Sequence, residues 1–314
     1  MTSFAFVFPG QGSQSVGMLD GWGDHPVVAQ TLREASEALG EDVARLIHEG
    51  PKEALALTTN TQPVMLVAGV AAWRVWQAEG GAMPAAVAGH SLGEYSALVA
   101  SGVLTLAQAA PLVRLRAAAM QEAVPVGVGA MAAILGLDSA KVIAGCAEAA
   151  AALGGAEVVE AVNFNDPIQT VIAGTKAGVD KACEVLKAAG AKRALPLPVS
   201  APFHSSLMKP AAEKLREALA GLTLAAPQIP VLNNVDVAVV QDADAIRDAL
   251  YRQAFGPVRW VECVQALKAR GITHLIECGP GKVLAGLTKR IDPELVGASI
   301  YDPATLAEAK ELLA

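Results

Sequence analysis

Apolar residues in this chain come in two kinds of run, and their alternation predicts the architecture. The opening SFAFVFPG is a short continuous apolar run stopped by Pro9-Gly10, the pattern of a buried strand. Helical spacing follows over 25–38, 41–48 and 61–79, the last with Thr61 as the expected N-cap and Gly80-Gly81 as its stop. A short strand, AAVAG, runs directly into the helical HSLGEYSALVASG. Thr105 and Gln108 then match a capping box ahead of a helix over 105–121. Strand, loop, helix and strand in this order predict an α/β fold with a mainly parallel sheet.

The rhythm changes near Pro125. GAMAAILG reads as a strand, 138–151 as a helix, AEVVEAVN and IQTVIAG as strands, 175–189 as a helix and AKRALPLP as a last strand. That β-α-β-β-α-β order predicts a ferredoxin-like unit inserted over 125–197, with one continuous sheet as the competing arrangement. After Pro198 the first style resumes: a helix at 205–220, a strand near PQIPVLNN, helices at 243–254 and 258–270, the strand and glycine turn THLIECGPG, a helix from 281 and a short helix at 306–313. Residues 1–124 and 198–314 are thus expected to form the larger domain. The length of 314 residues, beyond the ~250–300 at which single cores stop growing, suits one large and one smaller unit.

Composition narrows the function. Hydrophobic residues make up 53% and charged residues 18%, which excludes a disordered chain. A formal charge of -7 argues against a nucleic-acid binder. Cys146, Cys183, Cys263 and Cys278 are far apart, with no C-x-x-C pair for a zinc ribbon or disulfide scaffold. No metal or bound organic cofactor is expected. The N-terminus lacks a basic n-region, and apolar stretches such as 61–76 are broken by Gln, Pro and Arg short of the ~20 residues a membrane span needs. A soluble, cytoplasmic protein is expected.

The chemistry points to a serine. Gly89-His90-Ser91-Leu92-Gly93 satisfies G-x-S-x-G between a predicted strand and a predicted helix, where a sharp turn exposes the hydroxyl beside free helix amides. An ordinary Ser N-cap in a Gly-rich turn is the competing reading. Of five histidines, His25 and His48 belong to amphipathic helices, His274 begins a strand, and His90 adjoins the serine and shapes its pocket. His204, at the junction between the two units, is the expected base. Asp166, Asp236 or Glu277 could orient it, as could a backbone carbonyl, because the ring N–H needs only an acceptor. The glycines around Gln11 would let its amide approach an oxyanion, while their spacing matches neither a dinucleotide fingerprint nor a phosphate loop. Arg114 and Arg116, two apart on a helix, cannot share a face. Solvent exposure is the better reading of either by pattern alone. Asn163, Asn165, Asn233 and Asn234 read as turn residues, with a polar pocket lining as the second reading.

FPGQGSQ, GHSLGEYSAL, RLRAAAMQEAVP, NFNDPIQTVIAG, PVSAPFHSSLMKP, VLNNVDV, RQAFGPVRW and ECGPGKVLAGLTKR, in this order over essentially the whole chain, resemble the malonyl-CoA:acyl carrier protein transacylases. The resemblance implies an α/β-hydrolase-like larger domain with a ferredoxin-like subdomain. It also implies ping-pong transfer of malonyl from CoA to the phosphopantetheine thiol of holo acyl carrier protein. By motif, it implies Ser91 as nucleophile, His204 as acid/base, the Gln253 carbonyl as the histidine's acceptor, and Gln11 and Leu92 as oxyanion amides. Arg116 becomes the carboxylate-binding arginine, against its pattern reading. His90 and Asn163 are expected to line the pocket. Phe203, by analogy with polyketide synthase acyltransferase domains, would favour malonyl over methylmalonyl. The stretch after Gln253 departs from the common RQLYNPV at Ala254, Phe255 and Gly256.

A monomer is expected, meeting an acidic carrier through local cations among Lys192, Arg193, Lys209, Lys282, Lys289 and Arg290. Fatty-acid and polyketide carriers both remain open. A serine hydrolase and a catalytically silent carrier-binding protein are the competing classes, and a water-resistant acyl-enzyme separates transferase from both.

Overall fold

The computed structural model describes residues 2–199 and 201–314. In chain order its strands are β1 (Phe4–Phe8), β2 (Ala86–Gly89), β3 (Gly129–Leu135), β4 (Val159–Asp166), β5 (Gln169–Thr175), β6 (Arg193–Pro196), β7 (Val231–Leu232), β8 (His274–Cys278) and β9 (Val296–Ile300). They form two sheets. One is parallel throughout, in the order β7-β2-β1-β8-β9, and the other is antiparallel, in the order β4-β5-β3-β6. The chain is therefore α/β, with a larger parallel sheet and a smaller antiparallel one, not one continuous sheet.

The continuous apolar run of β1 has a simple cause: both faces of its sheet are covered. Phe4, Phe6 and Phe8 pack to one side, with Phe6 edge-on to Trp73 and Trp76 of the Thr58–Ala78 helix at 5.5 and 5.3 Å. Ala5 and Val7 pack to the other, among Trp260, Val264 and Leu275. Large residues on one face and small ones on the other set how closely each helix layer approaches. The smaller sheet has one face on the Ser139–Ala152 and Lys176–Ala188 helices, whose Val142, Cys146, Val179 and Leu186 meet Ala132, Ile134 and Ile172. Its other face, carrying Met131, Ala133 and Val171, turns towards the parallel sheet and forms one wall of a cavity.

Four local expectations change. The third long helix begins at Thr58, not at Thr61. Thr61 Oγ1 donates to the Leu55 and Leu57 carbonyls at 2.7 and 3.0 Å, so its hydroxyl is spent backwards instead of on a cap. The strand near PQIPVLNN shrinks to Val231–Leu232, and the last helix starts earlier, at Pro303 behind an Asp302 cap. Strand β9 went unanticipated because Gly297 and Ser299 interrupt its apolar pattern. A Cβ on Gly297 would lie 2.5 Å from the Ala285 carbonyl oxygen, so close helix packing selects the glycine. The capping box at Thr105 and Gln108 forms as expected, with Gln108 N donating to Thr105 Oγ1 at 3.2 Å.

Candidate active site

Strand β2 ends at Gly89 and the helix Gly93–Ala100 begins four residues later, leaving Ser91 at the tip of the turn with φ 54°. The glycines permit this crossing. A Cβ on Gly89 would sit 1.9 Å from the Gly93 carbonyl carbon, and one on Gly93 would sit 2.0 Å from the Phe8 carbonyl oxygen. No side chain fits in either place.

Ser91 Oγ lies 2.6 Å from His204 Nε2. His204 Nδ1 lies 2.9 Å from the Gln253 carbonyl oxygen, which can only accept. The Nδ1 proton is thereby committed, and Nε2 is left as an acceptor for the serine hydroxyl. The carboxylates that might have oriented the ring are elsewhere. Asp236 holds Arg252 at 2.6 and 2.7 Å, Asp166 accepts from Ile168 N and faces Arg290, and Glu277 accepts from Ala285 N. His25 caps a helix, His48 pairs with Asp20 and His274 meets Thr273.

Arg116 reverses the pattern reading. It is 3% exposed and donates through Nη1 to Gln62 Oε1 at 2.6 Å. Its Nη2 reaches Gln253 Oε1 at 3.2 Å and Ser91 Oγ at 3.3 Å. Arg114 turns away, to the Thr59 carbonyl and Asn60 Oδ1 at 2.6 and 2.7 Å and to Glu41. Pro63 explains the first contact. Having no N–H, it cannot serve the Thr59 carbonyl four residues back, and the guanidinium takes that place.

Ser91, His204, Arg116 and Gln62 face a cavity of about 430 Å³ between the two sheets, also lined by Gln11, Leu92, Asn163 and Phe203. The Gln11 loop is pressed against the serine turn, since a Cβ on Gly10 would lie 2.7 Å from the His90 carbonyl oxygen. The Ser91 amide is spent on Asn234 Oδ1 at 2.7 Å, whereas the Gln11 and Leu92 amides have no protein acceptor among the described residues. His90 lines the cavity, and its Nε2 lies 2.8 Å from Asn165 Oδ1. Asn163 and Asn165 lie in β4, not in turns, and Asn163 Oδ1 is buried without a partner among the described residues. Ser200, within the PVSAPFHSS stretch, lies outside the described residues.

Residues 5–291 match the family described as acyl transferase domain. The malonyl CoA-acyl carrier protein transacylase of Escherichia coli is 56% identical over 313 residues, covering 99% of this chain and 100% of its own. The chain belongs to the malonyl-CoA:acyl carrier protein transacylase family. Among solved structures, the acyl-carrier-protein S-malonyltransferase of Burkholderia pseudomallei 1710b is 68% identical, with a TM-score of 0.96 over 99% of this chain and 100% of its own. A malonyl-transacylase solved with its type II PKS acyl-carrier protein is 53% identical, with a TM-score of 0.96 over 99% of this chain and 100% of that one.

For a transacylase the electrostatics of this cavity are pertinent. Burial, reinforced by the nearby Arg116 charge, pushes the His204 imidazolium pKa down to about 3, so the ring is neutral. Burial also lowers that of Arg116 from its ordinary value, against the opposing pull of Tyr95 and Glu94. Its guanidinium stays charged.

Two participants have no place in the sequence analysis, Gln62 and Glu94, and Asn234 stands there chiefly as a turn residue. Gln62 and Asn234 look like unremarkable amides in a helix and a turn. Glu94 carried a usable signal, being a charged residue inside the otherwise apolar LGEYSALVA, and it is 2% exposed.

Proposed function

We propose that this chain transfers malonyl from malonyl-CoA to the phosphopantetheine thiol of holo acyl carrier protein, through an ester on Ser91. The observation that carries this reading is the convergence of two groups on one atom. Ser91 Oγ has a neutral histidine nitrogen at 2.6 Å and a buried guanidinium nitrogen at 3.3 Å.

In the acylation half, Ser91 Oγ attacks the thioester carbonyl as its proton passes to His204 Nε2, and the oxyanion meets the Gln11 and Leu92 amides. Collapse breaks the C–S bond, and His204 returns the proton to the CoA sulfur. In the second half the carrier thiol gives His204 its proton and attacks the ester. The C–O bond breaks and Ser91 recovers the proton. The Gln253 carbonyl keeps the histidine in the right tautomer throughout. Arg116 has no acidic side chain in ion-pair contact among the described residues, so the distal carboxylate of malonyl supplies its counter-charge. Phe203, buried against the cavity immediately before His204, is the residue assigned to disfavour an α-methyl branch. Comparable transfer from methylmalonyl-CoA would contradict that selectivity.

The relative solved with its carrier protein supports the acceptor assigned here, and exposed Arg290, on the cavity rim, is the cation best placed to meet it. Intact-protein mass after brief mixing with malonyl-CoA tests the reading. The expected result is a malonyl increment on the wild-type chain, absent from Ser91→Ala and cleared by holo carrier protein. An increment cleared as fast by water would make the enzyme a hydrolase.

A further inference from the structure

Glu94 stands on the first turn of the Gly93–Ala100 helix, behind the nucleophile and away from the cavity lining. One of its carboxylate oxygens, Oε2, accepts two hydrogen bonds, from the Asn234 amide at 2.9 Å and from Gln253 Nε2 at 3.0 Å. Each donor leads to a different part of the site. Asn234 takes the Ser91 amide on its Oδ1 and donates Nδ2 to the Gly89 carbonyl, both at 2.7 Å, so it clamps the turn from both sides. Gln253 donates Nε2 to the Ser91 carbonyl at 2.9 Å, offers Oε1 to Arg116 and holds His204 Nδ1 on its own carbonyl.

We propose that Glu94 is a positioning residue of the transacylase: its Oε2 ties Asn234 and Gln253 together and thereby sets the register between the Ser91 hydroxyl and His204 Nε2. The need for such a tie is visible in the backbone. Ser91 and His204 both have left-handed φ, 54° and 64°, which non-glycine residues hold only where their surroundings enforce it. Ser91 belongs to the β2 turn and His204 to the segment returning from the smaller sheet, so no local element fixes one against the other. Glu94 reaches both through one intermediary each.

The competing role for the same carboxylate, a charge acting on Arg116 from beyond ion-pair contact, makes the opposite demand on substitutions. Glu94→Asp keeps the charge but withdraws the accepting oxygen by about 1.5 Å. Glu94→Gln keeps an accepting oxygen in place and removes the charge. The proposal rests on Ser91 being the acylated nucleophile, but its test does not need malonyl-CoA. Phenylmethanesulfonyl fluoride reads the dyad alone: a Ser91 O–S bond forms, the S–F bond breaks, fluoride leaves and His204 takes the proton. Failure of malonyl transfer therefore leaves this test standing.

The expected result is that Glu94→Asp slows Ser91 sulfonylation about 100-fold, the order of loss for a reacting pair displaced by an ångström. Glu94→Gln should stay within about fivefold of wild type, a loss no larger than one ordinary hydrogen bond. Both rates are referred to protein whose cooperative melting shows it folded. Wild-type rates in Glu94→Asp, or a fall in Glu94→Gln as deep as that in Glu94→Asp, would overturn the proposal. The first outcome would show that the tie is dispensable, and the second that the charge matters instead.

Discussion

Arg116 Nη2 lies 3.3 Å from Ser91 Oγ, so the group proposed to neutralise the substrate's far end touches the atom proposed to attack its near end. Malonyl is short enough for both contacts to be made by one acyl group. With those roles, recognition and nucleophilic attack are coupled, and selectivity should show in the chemical step as well as in binding.

Arg116→Ala should lower the rate of malonyl loading on Ser91 by about 10–100-fold, the worth of a charge-assisted hydrogen bond to a carboxylate. Loading from acetyl-CoA, which has no distal carboxylate, should fall much less or rise. Arg116→Lys should not restore malonyl loading, because an ammonium cannot replace the planar fork that also holds Gln62 and Gln253. Rapid-quench loading with the two thioesters checks this.

The pH dependence follows from His204. Its pKa is held down to about 3 by burial first and by the Arg116 charge second, and the ring works as a base only when neutral. Activity of the free enzyme should thus persist below the ordinary histidine range and fall only as pH drops towards the lowered value. Removing the Arg116 charge raises that pKa, so in Arg116→Gln the acid limb of Ser91 sulfonylation should move to higher pH. An unmoved limb would show that Arg116 does not act on the base.

Arg114 offers the contrasting prediction. Arg114→Met strips the Thr59 carbonyl of its donor and should cost about 1–3 kcal/mol of stability. Malonyl loading per folded molecule should stay unchanged, since Arg114 faces away from the cavity. Chemical denaturation alongside the loading assay separates the two effects.

The glycine turn should be intolerant. Gly93→Ala drives a methyl to 2.0 Å from the Phe8 carbonyl oxygen, which belongs to the central strand and cannot retreat cheaply. A loss of about 3 kcal/mol is expected, with Ser91 displaced. Differential melting measures the first and sulfonylation the second.

Some of this site was legible without coordinates because its signals are local. A sharp strand-to-helix turn needs small residues at fixed offsets, so GHSLG declares itself. The capping box at Thr105 and the βαββαβ rhythm likewise rest on near neighbours. The helix start at Thr58 was not legible, because the Thr61 hydroxyl has carbonyls within reach on the side opposite to the one a cap requires. Strand β9 was hidden by a glycine chosen for a helix that passes over it.

By itself, the sequence determined the α/β class, the nucleophile's turn and the short list of bases, since backbone sterics and hydrophobic period act over a few residues. Which of two arginines faces inward, and whether a carboxylate or a main-chain carbonyl holds His204, stayed open by pattern and were implied only by the family resemblance; the tertiary structure buries Arg116, sets the Gln253 carbonyl on His204 Nδ1, and brings Asn234 and Gln253 together on Glu94. Those choices are made by partners 25 to 162 residues apart along the chain. A buried polar group takes whichever partner the packed fold brings within about 3 Å, and no pattern along the chain encodes that distance.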